Sequence, residues 1–77
     1  MRRRFRIRNE RQQILATVIF FFENEINHFV GIVILPTLEN HATGMYDNDG
    51  NMDEIIADLV PRVGIEDYHD YIELQND

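Results

Sequence analysis

Positions 2–8 alternate with a period of two. Arg2, Arg4, Arg6 and Arg8 fall on one side of an extended chain, Phe5 and Ile7 on the other. The pattern predicts a short strand with a cationic face, or an arm that becomes a strand on binding. Residues 13–23, QILATVIFFFE, are apolar on both faces and rich in β-branched and aromatic types. That predicts a central strand covered on both sides, although periodicity alone does not separate it from a buried helix. The polar ENEIN stretch reads as a hairpin connection. Residues 28–35, HFVGIVIL, read as a second strand that Pro36 ends, with Gly31 marking a bulge or a close backbone approach.

Residues 37–46 hold either a third strand around Thr43–Tyr46 or a loop, and DNDGN at 47–51 is a turn by composition. A helix follows. Asn51 is placed as its N-cap with Glu54 three residues on, and Asp53 and Glu54 lie in the positive first turn. Met52, Ile55, Ile56, Leu59 and Val63 form one apolar stripe that leaves Asp53, Glu54 and Asp58 outward. Pro61 weakens continuation and Gly64 stops the helix. Residues 68–75 alternate moderately and predict a last strand, with a terminal helix as the alternative. The expected fold is α+β: a small antiparallel sheet, about β-β-β-α-β, with one helix packed on one face. The chain divides into a basic strand or arm over 1–12 and a single small α+β domain over 13–77. Since the strand over 14–22 is apolar on both sides, something besides the helix is expected to cover its second face. A homodimer is the preferred cover.

Charge sharpens this picture. Residues 1–12 carry six arginines against Glu10, a balance of +5; residues 13–77 carry Arg62 against thirteen carboxylates, a balance of −12. The chain has 77 residues, a net charge of −7, no lysine, no cysteine and no serine. A domain this small buries only about 60% of its unfolded surface, and without cysteine it has neither disulfide nor thiolate–metal staple. Neither apolar run, Ile14–Phe22 or Phe29–Leu35, reaches the roughly 20 residues of a membrane span, and charged and polar residues separate them. The Arg-rich start imitates a signal peptide without a small-residue cleavage site. The expectation is a soluble, cytoplasmic protein, in the host cytoplasm if viral, that makes no membrane contact.

Few residues are placed for bond-making. His28, His41 and His69 share no ligand spacing, threonine stands in no nucleophile context, and the four glycines are isolated. No enzyme activity and no cofactor are expected. Asp47, Asp49, Asn51, Asp53 and Asp58 match positions 1, 3, 5, 7 and 12 of a calcium loop, but Gly50 falls at position 4 and the last ligand is Asp. Turn and capping chemistry explain the same residues, so no metal is expected. Phe20, Phe21, Phe22 and Phe29 read as core or as a dimer seam before they read as base-stacking residues.

Two charged surfaces remain. Asp47, Asp49, Asp53, Glu54 and Asp58 cluster through the turn and the outer helix face, and carboxylates on a rigid scaffold can stand in for phosphates in a positive groove. Compact acidic chains without a catalytic set resemble in type the small phage and mobile-element proteins that occupy nucleic-acid channels. The leading expectation is therefore an interaction protein that inhibits or redirects a larger partner with a basic groove. The alternative uses Arg2, Arg4, Arg6 and Arg8 to contact nucleic acid or an acidic partner. Against it stands internal pairing, in which an edge strand's arginines meet Glu23, Glu73 or their neighbours. The pieces VIFFFE, HFVGIVILP, ATGMY and NMDEIIADLV loosely resemble, in order, the fold of HicB-type antitoxins, which implies a small basic toxin as partner. The proline–glycine segment usual after the second strand and the DNA-binding tail of that family are absent here.

Overall fold

Arg2–Arg8 pairs on both sides, and that arrangement sets the architecture. A computed structural model describes residues 1–23 and 25–75. Its elements run β1 (Arg2–Arg8), β2 (Ile14–Phe22), β3 (His28–Ile34), β4 (Asn40–Ala42), β5 (Tyr46–Asp47), α1 (Met52–Arg62) and β6 (Asp70–Leu74). The strands form one antiparallel sheet in the order β4-β3-β2-β1-β6, with β5 also on β3. The fold is the α+β class expected from the sequence. Two details differ. Where a strand around Thr43–Tyr46 or a loop was expected, there are two short strands, β4 and β5, flanking residues 43–45, where Thr43 Oγ1 accepts the Gly31 N–H at 2.8 Å. And β1 is no edge strand, because β6 returns beside it.

Both tight hairpins have one construction. Gln12 N–H donates to Asn9 O and Asn9 N–H to Gln13 O, while Leu38 N–H donates to Leu35 O and Leu35 N–H to Glu39 O. Each is a turn closed by a residue with positive φ, Gln12 at 65° and Leu38 at 72°. Pro36 ends β3 by taking the second position of its turn, where a fixed φ and a missing donor cost nothing.

One side of the sheet is the core side. Phe5 and Ile7 of β1, Ala16, Val18 and Phe20 of β2, and Phe29 and Val33 of β3 are buried there against Ile55, Ile56, Leu59 and Val60 of α1 and Ile65. Phe20 is the hub, edge-on to Phe5 at 5.7 Å and to Phe29 at 5.0 Å. Opposite it in register stands Gly31. A Cβ on Gly31 would lie 2.6 Å from the Phe20 ring and 2.6 Å from the Ile19 carbonyl oxygen. Of the bulge and the close approach expected there, the close approach is what forms.

The helix ends are chemically closed. Asn51 Oδ1 accepts the Glu54 N–H at 3.3 Å. At the far end Gly64, with φ of 81°, donates to Pro61 O while Ile65 N–H reaches Val60 O, satisfying the last carbonyls. Pro61 is accommodated in the last turn, and the helix runs through it to Arg62. Among the described residues no helix is long and apolar enough to cross a membrane.

Candidate interaction surfaces

The helix lies on the core side, and its flanks are clasped to the sheet by tyrosines. Positions 53 and 58 are five residues apart, which puts their side chains on opposite flanks at about 100° per residue. Tyr71 of β6 donates its hydroxyl to Asp53, and Tyr46 of β5 donates to Asp58 Oδ2 at 2.9 Å. Arg62, one turn on, donates to the other Asp58 oxygen at 3.2 Å. The two donors, Tyr46 first and then Arg62, hold the Asp58 carboxyl below the usual carboxylate range. Both tyrosines respond in the opposite sense. Tyr46 is pushed up to about 12 by burial and then by the Asp58 hydrogen bond, and Tyr71 to about 12 by the Asp53 hydrogen bond and then burial. Burial, with Asp53 and Asp70 nearby, also raises Tyr68.

All three of the chain's tyrosines are raised, so the native protein is expected to ionise its phenols, Tyr46 and Tyr71 at about 12, above the ordinary value of about 10. Because the folded values are raised, this stabilisation is complete below that value and is lost as pH climbs from about 10 to about 12. A spectrophotometric titration checks it. Ionisation of Tyr46 and Tyr71 at the unfolded position under native conditions would contradict the clasps.

The remaining acidic positions from the sequence fall around this helix without equal roles. Asp49 lies in the turn before α1, and Glu54 lies in its first turn; both are exposed. Asp47 is drawn aside to β5, where it pairs with His28 at 2.9 Å. The calcium-loop spacing is thus dispersed: Asp47 faces His28, Asn51 caps α1, and Asp53 and Asp58 accept from tyrosines. Among the described residues no group of three or more His, Asp or Glu is placed to hold a metal ion. A cleft of about 310 Å³ opens between β4 and the end of α1, lined by His41, Thr43, Tyr46 and Arg62.

The arginines divide by side-chain direction. Arg3 points to the core side, over the Phe5 ring at 5.2 Å, and grips Glu73 with two bonds of 2.8 and 2.6 Å. Arg8 grips Asp70 with two bonds of 2.8 Å. Internal pairing therefore occurs, across β1 and β6, with Glu73 and Asp70 as acceptors. Both acceptors are held below the usual carboxylate range by their arginines. Arg2, Arg4 and Arg6 lie on the open side of the sheet, and Arg4 reaches the Gln75 carbonyl at 2.9 Å.

That open side is the surface sequence reasoning described least. Register places Thr17, Ile19 and Phe21 of β2 beside Val30, Ile32 and Ile34 of β3, with Asn40 and Ala42 beyond and Ile72 and Leu74 on β6. No helix covers them, and Phe21 and Val30 are 38% and 43% exposed. At the hairpin end Phe21, Ile26, Val30 and Met45 surround a small cavity of about 90 Å³. The signal was the two-sided apolar run of β2, which already required a second cover. Tyr46 and Tyr71 as clasps had no sequence signal, since their partners lie 12 and 18 residues away. No family model matches the chain, and neither a curated protein nor a solved structure does.

Proposed function

We propose that this protein acts by binding, and that its acidic helix side docks in the basic, nucleic-acid-binding groove of a larger cytoplasmic protein and blocks or redirects it. The observation that carries this reading is the pair of tyrosine clasps. Asp53 and Asp58 are held on opposite flanks of a helix capped at both ends, with Glu54 and Asp49 exposed beside them. Carboxylates positioned in advance lose little rotamer freedom on binding. They also complement a positive groove and release its counterions much as phosphates do. Of the arginines the cationic alternative would use, Arg8 is already in a bidentate pair with Asp70, whereas Arg2, Arg4 and Arg6 lie on the open side of the sheet. On this reading the protein has the character of a small phage or mobile-element inhibitor and performs no bond-making.

The test uses capture from lysate of the cell that produces the protein, at low and at high salt, with Asp49→Lys/Glu54→Lys as the variant. Both side chains lie outside the tyrosine pairs, so the fold is expected to survive. The captured protein should be released by salt, and the double charge reversal should weaken its binding about tenfold or more. Unchanged affinity would remove the helix side from the mechanism.

A further inference from the structure

We infer that a second copy of this chain packs on the open side of the sheet, face to face, about a two-fold axis that runs parallel to the strands between β2 and β3. The open side is too large and too apolar to be ordinary exterior. The chain exposes 5462 Å², whereas a folded monomer of 9.2 kDa is expected to expose roughly 4,900 Å². The four strands that overlap about this axis, β1, β2, β3 and β4, hold 7, 9, 7 and 3 residues; at about 3.3 Å per residue and about 4.8 Å between strands they give a covered face of roughly 410 Å² in projection, and more when side-chain relief is counted. Counted over both copies, that approaches the roughly 1,000 Å² in total that a specific interface needs. Sheets stacked about 10 Å apart are a standard way of covering such a face.

Charge selects both the occupant's orientation and the face. Copies of net charge −7 repel through their acidic helix sides. The open side instead has Arg2, Arg4 and Arg6 along β1 and an uncharged apolar field over β2 and β3. With the axis between β2 and β3, Ile19 and Phe21 of each copy meet Val30, Ile32 and Ile34 of the other, so the apolar fields coincide. Each β1 then lies over the other copy's β4, with the arginine stems on Asn40 and Ala42 and the guanidinium groups at a wet rim. The two arginine rows are three strand spacings apart, about 14 Å, beyond the screening length of about 8 Å at physiological salt. An axis perpendicular to the strands would set arginine on arginine and is excluded by repulsion. The arrangement is isologous, as closed dimers require.

Sedimentation equilibrium on the full chain tests this independently of the proposed partner. The wild type should run at twice the 9.2 kDa chain mass. Val30→Arg should bring it to the monomer mass with an unchanged circular dichroism spectrum, because Val30 is already half exposed in the isolated chain. Glu54→Lys, on the helix side, should leave the mass of the dimer intact. A wild type that is monomeric throughout the concentration range overturns the inference, as does a dimer that survives Val30→Arg. So does a monomer that binds a labelled oligonucleotide steeply with salt and loses it on Arg4→Ala/Arg6→Ala, which would give the face to nucleic acid.

Discussion

Gly31→Val is expected to lower the melting temperature by well over 10 °C or to abolish cooperative unfolding. The added Cβ meets two obstacles of different kinds. The Phe20 ring at 2.6 Å could swing, but the Ile19 carbonyl oxygen at 2.6 Å belongs to the paired strand and cannot move without breaking the β2–β3 ladder. Phe20 itself is fully buried and wedged between Phe5, Phe29 and Tyr46, so its displacement propagates through the aromatic centre. Overpacking of this kind costs about 1–3 kcal/mol and sometimes more. A 77-residue chain has roughly 4–12 kcal/mol in all, and each kcal/mol is worth about 4–8 °C at this size. Gly31→Ala should be milder, and Phe20→Leu should restore part of its loss by vacating the site. Wild-type melting of Gly31→Val would contradict the close packing of β3 on β2.

Phe5→Ala should cost about 3–5 kcal/mol, enough to leave much of the protein unfolded at ordinary temperature. Phe5 has no exposed surface, its ring is edge-on to Phe20 at 5.7 Å and to Tyr71 at 5.6 Å, and Arg3 lies over it. The loss reaches the helix as well, since Tyr71 is the residue that clasps Asp53. Urea titration should show a greatly reduced midpoint for Phe5→Ala, and a smaller shift for Phe5→Leu. A small effect of Phe5→Ala would mean that β1 is appended to the fold instead of built into it.

Much of this architecture was readable along the chain because it is written in short-range patterns. The alternation at 2–8 put Phe5 and Ile7 on the face opposite the arginines, and the folded chain buries that face in the core. The Asn51 cap, the Ile55–Ile56–Leu59 stripe and Gly64 bounded the helix within a residue or two. Gly31 pointed to a bulge or a close approach, and it is the close approach to Phe20 that forms. What escaped depends on long-range pairing. Nothing local says that β6 returns beside β1, and so the bidentate partners of Arg3 and Arg8, at Glu73 and Asp70, could be guessed only in part. The divided β4 and β5 are three and two residues long and are set by hydrogen bonds to β3, so composition carries little trace of them. The acidic positions were all visible, but only the folded chain separates Asp47, which turns to His28, from Asp53 and Asp58, which the tyrosines fix.

A competition titration examines the proposed mode of action most directly. The captured partner is loaded with a fluorescently labelled DNA oligonucleotide, and the protein is added while polarisation is followed. If the acidic helix side occupies the nucleic-acid groove, the oligonucleotide should be displaced in proportion to added protein, and Asp49→Lys/Glu54→Lys should displace it far less well. A ternary complex that holds oligonucleotide and protein together, or displacement that the charge-reversed variant performs as well as the wild type, would contradict it.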